Sequence, residues 1–167
     1  MKKSIYTAIF CLFLGASASA QFGLGAGLLY GSESELGLTL RAHYDVNEQI
    51  TAVAGYSILT SESVEIFGVE IETTLASIDL DGHYHFGGEK INPYALAGLN
   101  ILSSSVSIGG ESESDTFIGV NIGGGALYGI NEKFNVFGEA KYAINGGGDE
   151  EGDANQFVIT GGVQYTF

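Results

Sequence analysis

The chain has 167 residues, twenty of them acidic and six basic, with 26 glycines, one proline, one cysteine and no tryptophan. A formal charge of −14 without any cationic cluster excludes nucleic acid as a partner, because a phosphate backbone is held by grouped Lys and Arg. The length suits one domain, and a lone cysteine cannot support a disulfide framework.

Residues 1–20 read as a secretory signal peptide: Met1-Lys-Lys is basic, Ile5 to Leu14 apolar, and Ala16-Ser-Ala-Ser-Ala20 a small-residue cleavage site. The apolar run is shorter than the roughly 20 residues of a spanning helix. Phe10 before Cys11 argues against a lipoprotein site. Cleavage before Gln21 removes Cys11, Lys2 and Lys3, so the mature domain, 21–167, sets only Arg41, Lys90, Lys133 and Lys141 against twenty carboxylates. Beyond it, alternation of apolar and polar residues predicts eight strands, at 22–30, 36–44, 49–59, 74–86, 92–102, 116–129, 134–144 and 156–167. Asp45-Val-Asn-Glu-Gln49, Gly87-Gly-Glu-Lys90 and Ile130-Asn-Glu-Lys133 carry turn-forming residues and predict tight turns at one end. Longer polar stretches near 31–35, 60–72, 103–115 and 145–155 predict loops at the other. The predicted fold class is all-β, an eight-stranded antiparallel up-and-down barrel with both termini at the turn end.

One strand face carries Leu36, Leu38, Leu40, Ala42 and Tyr44, then Ile50, Ala52, Ala54, Tyr56 and Ile58, then Ala76, Ile78, Leu80, Tyr84 and Phe86, then Ile118, Val120, Ile122, Ala126 and Tyr128. The other carries Gly23, Gly25, Gly27, Gly37, Thr39, Gly55, Ser57, Gly98, Asn100, Gly119, Asn121, Gly123 and Gly125, with most charged strand residues. Water gives no reason for a face to be so small, whereas the narrow bore of eight strands does. The polar face is therefore expected inside and the apolar face against lipid. A soluble secreted binding barrel, with the faces exchanged, is the alternative. Phe22, Tyr44, Tyr84, Phe86, Tyr128, Tyr165 and Phe167 near the turn end, and Tyr30, Tyr56, Tyr142 and Phe157 near the loop end, predict two interfacial girdles.

The signal peptide, the meander, Asn92-Pro-Tyr-Ala-Leu-Ala-Gly98, Gly138-Glu-Ala-Lys-Tyr142 and Val163-Gln-Tyr-Thr-Phe167 resemble the small eight-stranded outer-membrane barrel superfamily of OmpA, OmpX and OmpW type. The resemblance implies a Gram-negative outer membrane with both termini periplasmic. It makes Val163, Tyr165 and Phe167 a signal read by the barrel assembly machinery. The chain ends at Phe167, so the peptidoglycan-binding domain of some relatives is not expected. Expected partners are outer-membrane lipid and lipopolysaccharide, and a monomer needs no cofactor.

Arg41 and His43, then Asp79, Asp81, His83 and His85, then Glu139 and Lys141 share the inward parity. Charges in a poorly hydrated bore have to pair, which predicts a network joining Arg41 and Lys141 to Asp79, Asp81 and Glu139. It reads as a polar plug, or as a gate whose pairs exchange to open a narrow path for cations or small hydrophobic molecules. His43, His83 and His85 read as a transition-metal set or as a pH-responsive polar cluster. They lie at the opposite end from the serines of the loops, so no nucleophile meets a base and an enzyme is not expected. The loops hold carboxylates without Lys or Arg. Asp149, Glu150, Glu151 and Asp153 there have the composition of a calcium loop without EF-hand spacing, and either solvate the rim or bind divalent cations that bridge to lipopolysaccharide. The function expected is an envelope-structural or surface-interaction barrel, with the narrow channel as its alternative.

Overall fold

Alternation of β-branched and small residues produces nine strand segments in the computed structural model, which describes residues 21–32, 34–59, 63–66, 69–108, 111–145 and 155–167. They are β1 (Phe22–Gly31), β2 (Ser34–Asp45), β3 (Ile50–Leu59), β4 (Ser63–Ile66), β5 (Val69–His85), β6 (Ile91–Ile108), β7 (Glu111–Gly129), β8 (Phe134–Asn145) and β9 (Gln156–Thr166). Every pairing is antiparallel, β1 pairs with β9, and β3 pairs with β5, so eight staves close into a barrel without a free edge. The ninth segment, β4, takes over from β3 along the upper part of β5, with Ser63 opposite Glu72 and Ile66 opposite Val69. The expected eight-stranded antiparallel barrel is thus the fold observed.

The three short connections share one end. Asn47 Oδ1 accepts from the backbone N–H groups of Gln49 and Ile50, and Asn131 Oδ1 repeats this with Lys133 and Phe134. The turn between β5 and β6 uses Gly87 at φ 85°, a left-handed conformation that side chains resist. The first described residues and the last residue are tied at this level, with Phe167 N–H donating to Phe22 O at 3.0 Å and Asp45 N–H to Gln21 O at 3.0 Å.

At the opposite end the expected loops need correction. The β5 ladder with β6 runs up to Ile71 opposite Ile108, and the β6 ladder with β7 up to Ile108 opposite Glu111. Residues 103–108 and 111–116 are therefore strand, as are 63–66 and 69–74. Polarity suggested loops there, but a strand standing above the membrane needs no apolar face. The alternation of Val64 and Ile66, Val69 and Ile71, and Val106 and Ile108 with Ser, Thr and Glu suffices. Between β1 and β2 the ladder continues to Gly31 opposite Ser34, leaving a tight reversal. Residues 1–20 and the stretch containing Asp149, Glu150, Glu151 and Asp153 lie outside the described residues.

The buried core is the bore itself. Leu38 and Leu40, 64% exposed, and Ile118, 68% exposed, belong to a continuous outward apolar surface with Leu24, Leu28, Leu36, Tyr56, Ile78, Leu80, Val120, Ile122, Ile159 and Val163. Water would penalise so large an apolar patch, and hydrocarbon does not. Thr39, Ser57, Asn100 and Asn121 are buried inside, so the faces are disposed as for a lipid-embedded barrel. Of the aromatics at the turn end, Phe22 stacks on Phe167 with centroids 5.9 Å apart, and Phe134, Tyr165 and Phe167 meet edge to face.

Candidate functional site

The bore is filled in layers. Nearest the rim, Leu29, Leu59 and Val158 cluster with Leu75 against them. Below them, Ser57 Oγ donates to Thr39 Oγ1 at 3.0 Å, and Ser77, Asn100, Asn145, Gln156 and Thr160 complete a polar layer. This region encloses a cavity of about 40 Å³, lined by Thr39, Ser57, Ser77, Asp79, Asp81, Asn100, Lys141 and their neighbours.

The charged layer follows, and β5, β8 and β2 position it because their inward parity places Asp79, Asp81 and His83, then Glu139 and Lys141, then Arg41, at adjoining heights. Lys141 Nζ lies 3.0 Å from Asp79 Oδ1 and 3.6 Å from Asp81 Oδ2. Asn100 Nδ2 and Asn121 Nδ2 donate to Asp79 Oδ1 at 2.7 and 2.8 Å, and Asn121 Nδ2 also donates to Asp81 Oδ1 at 2.9 Å. A second group centres on Glu139, whose Oε2 accepts from Tyr94 Oη at 2.9 Å and lies 3.4 Å from Arg41 Nη1. Arg41 Nη2 donates to Gln164 Oε1 at 2.6 Å. The residues expected to form one network thus stand as two clusters, Lys141 with the aspartates and Arg41 with Glu139. Low dielectric makes an unpaired buried charge costly, so each cluster depends on its own partners.

Two bulky inner residues escaped the sequence reading. The Arg41 guanidinium sits 3.3 Å above the ring centre of Phe137, forming a cation–π stack across the bore. Tyr94 stacks flat on His83, with centroids 4.4 Å apart and planes 9° from parallel. Glycines make room for both: a Cβ on Gly162 would come within 2.7 Å of Phe137 Cζ, and one on Gly125 within 2.6 Å of Tyr94 Oη. The signal was available, since Phe137 has the parity of Glu139 and Lys141, and a glycine-lined wall implies something large opposite it. Gln164, also missed, has the inward parity of its strand.

At the turn end the bore widens into an open vestibule of about 920 Å³, lined by Arg41, His43, Asp45, Thr51, His83, His85, Asn92, Gln164 and Thr166 among others. His43 Nε2 lies 3.2 Å from Thr166 Oγ1. Thr51 Oγ1 donates to Asp45 Oδ1 at 2.6 Å and so receives from His85 Nε2 at 3.1 Å. His83 and His85 have ring centroids 6.4 Å apart, and His83 Nε2 lies 3.8 Å from Glu139 Oε2. The imidazoles thus have separate neighbours, and among the described residues no group of three His, Cys, Asp or Glu side chains is arranged to hold a metal. Val163 and Phe167 are exposed on the outward face at the end of the chain, with Tyr165 half-buried between them.

The family model described as "Outer membrane protein beta-barrel domain" matches residues 5–167. Among solved structures, the N-terminal β-barrel domain of Pseudomonas aeruginosa OprF is 18% identical, with a TM-score of 0.65, over 88% of this chain and 97% of that one. Neisserial surface protein A is 19% identical with a TM-score of 0.69, over 89% and 96%. Ail, the attachment invasion locus protein of Yersinia pestis, is 16% identical with a TM-score of 0.56, over 89% and 97%. At these identities the likeness is one of fold. No curated protein matches in sequence.

Proposed function

The chain belongs to the outer-membrane protein β-barrel domain family, and from that premise we propose that it is a non-catalytic barrel with a plugged bore, working at the cell surface through strands raised above its rim. The observation that carries this reading is the contrast between the two ends. Among the described residues the ladder between β7 and β8 ends at Gly119 opposite Asn145, while β6 and β7 continue together to Ile108 and Glu111. Eight residues of β7, 111–118, therefore lie beyond the described end of β8, roughly 25 Å along the strand at about 3.3 Å per residue. The upper part of β7, which carries Glu113 and Asp115, forms with β4 and the upper parts of β5 and β6 a four-stranded sheet above the barrel. Spanning the membrane needs only about 9–11 residues per strand, so this sheet is surplus to anchorage.

Glu113 and Asp115 are exposed on it, and Glu65, Glu70, Glu72 and Glu111 occupy further register positions in it. Such charge favours a basic or cation-bridged partner, which includes lipopolysaccharide through divalent ions. Both termini then face the periplasm, since they share the short-turn end. Two solved neighbours are by name a surface protein and an attachment invasion locus protein, which accords with a surface role. The test replaces residues 104–115 by a two-residue turn and compares surface binding and envelope integrity with those of a strain lacking the protein. A trimmed barrel that assembles yet behaves as the deletion supports the reading. One that behaves as the parent overturns it.

A second reading, a narrow gated path, rests on one observation: Arg41, Val53 and His83 line both the 40 Å³ cavity and the 920 Å³ vestibule. Movement of Arg41 off Phe137 would join them. Planar-bilayer recordings without conductance steps at any voltage would eliminate this reading.

A further inference from the structure

We propose that the bore holds one monovalent metal cation, bound by oxygen atoms of Asp79, Asp81 and Asn100 beside Lys141. Charge is the first reason. Arg41 and Glu139 neutralise one another, whereas among the described residues Lys141 alone faces both Asp79 and Asp81, so with both carboxylates ionised this cluster carries one negative charge in excess. All three side chains are buried, and a low-dielectric bore does not tolerate such an excess without a counter-charge.

Geometry is the second reason. Asp79 Oδ1 is saturated by Lys141, Asn100 and Asn121, but Asp79 Oδ2 has only Ser77 Oγ, at 3.3 Å. Asp81 Oδ2 has Lys141 at 3.6 Å, beyond hydrogen-bond range. Asn100 is 4% exposed, and with its Nδ2 engaged by Asp79 its buried Oδ1 has no donor among the described residues. A buried carbonyl oxygen without a donor is a cost that a cation removes.

Space is the third. Asp79, Asp81, Asn100 and Ser77 all line the same cavity of about 40 Å³, more than the roughly 10–15 Å³ that one small occupant needs. The ligands are hard oxygens, which suit an alkali ion, and one unit of excess charge matches a monovalent ion and would be overshot by a divalent one.

The experiment refolds the barrel with thallous acetate, uses the thallium ion as an alkali-ion probe, and records anomalous diffraction from crystals. A peak in the cavity within coordination distance of Asp79, Asp81 and Asn100 is expected in the parent and absent in Asp81→Asn, which removes the excess charge. Glu139→Gln, which alters the other cluster, should keep the peak. Absence of the peak in the parent, its persistence in Asp81→Asn, or its loss in a folded Glu139→Gln overturns the proposal. Should Asp81→Asn not fold, parent protein melted in sodium chloride and in N-methyl-D-glucamine chloride of equal ionic strength decides. A higher melting temperature in sodium supports the site, and equal temperatures refute it, with a proton as the remaining counter-charge.

Discussion

Replacing Lys141 by Met tests whether the aspartate cluster holds the bore together. The Lys141 side chain is 9% exposed and supplies the only cation within 4 Å of Asp79 and Asp81 among the described residues. Met fills similar volume, so the change removes charge with little loss of packing. Two buried carboxylates then face each other with the Asn100 and Asn121 amides and the Ser77 hydroxyl as their side-chain partners, and at most the one proposed cation against two negative charges. Removing one partner of a buried ion pair costs about 3–5 kcal/mol, because the remaining charge is stranded. With a urea slope of about 2 kcal/mol/M, the unfolding midpoint should fall by about 1.5–2.5 M in the same micelle or bilayer. Adding Asp79→Asn and Asp81→Asn should restore most of the loss, since neutral amides keep oxygens that accept from Asn100 and Asn121 without carrying charge. A shift below about 0.5 M for Lys141→Met, or a triple variant no more stable than the single one, would refute the electrostatic reasoning.

Phe137→Ala removes the ring under Arg41 and beside Gly162, and should destabilise the barrel by about 3–5 kcal/mol in urea titrations. The same variant should show conductance steps that the parent lacks, and silent bilayers would mean that Phe137 is not the closing element. Leu38→Arg, on the outward face, should cost about 2–4 kcal/mol if that position lies deep in hydrocarbon, read by unfolding in lipid vesicles. A neutral result would sink the lipid-facing assignment. Tyr94→Phe strips Glu139 of its 2.9 Å hydrogen bond and should cost about 1–3 kcal/mol, detectable as a lowered urea midpoint with an unchanged barrel spectrum.

Face and topology were legible in the sequence because lipid and a narrow bore impose opposite demands on alternate residues. Leu36, Leu38 and Leu40 admit one placement once Gly37, Thr39 and Arg41 alternate with them. The charged positions were legible for the same reason, since Asp79, Asp81, Glu139 and Lys141 share the inward parity. Which charge meets which was not, because it depends on stagger between strands. β8 sits so that Lys141 pairs with Gly123 of β7 and Val158 of β9, and this height brings it to Asp79 rather than to its chain neighbour Glu139. The raised strands were hidden by the habit of equating polarity with loops. That habit fails above a membrane, where both faces of a sheet are wet.

The glycines connect the proposed closure of the bore with the proposed elevation of the rim. Gly27 on β1 and Gly162 on β9 give way to Phe137 from β8, and Gly125 on β7 gives way to Tyr94 from β6. A wall cleared of side chains would widen a channel if nothing entered the space. Here each clearing receives a ring, and each ring bears on a charged or titratable group, Arg41 on Phe137 and His83 on Tyr94. Packing of this kind resists solvent passage and stiffens the staves below the rim. A rigid stave is what a strand such as β7 needs if it is to hold residues 111–118 beyond the described end of β8 as ordered sheet rather than as a frayed loop. Loosening the plug by Phe137→Ala should therefore raise amide exchange in 111–118 as well as in the bore. Unchanged protection there would separate the two features.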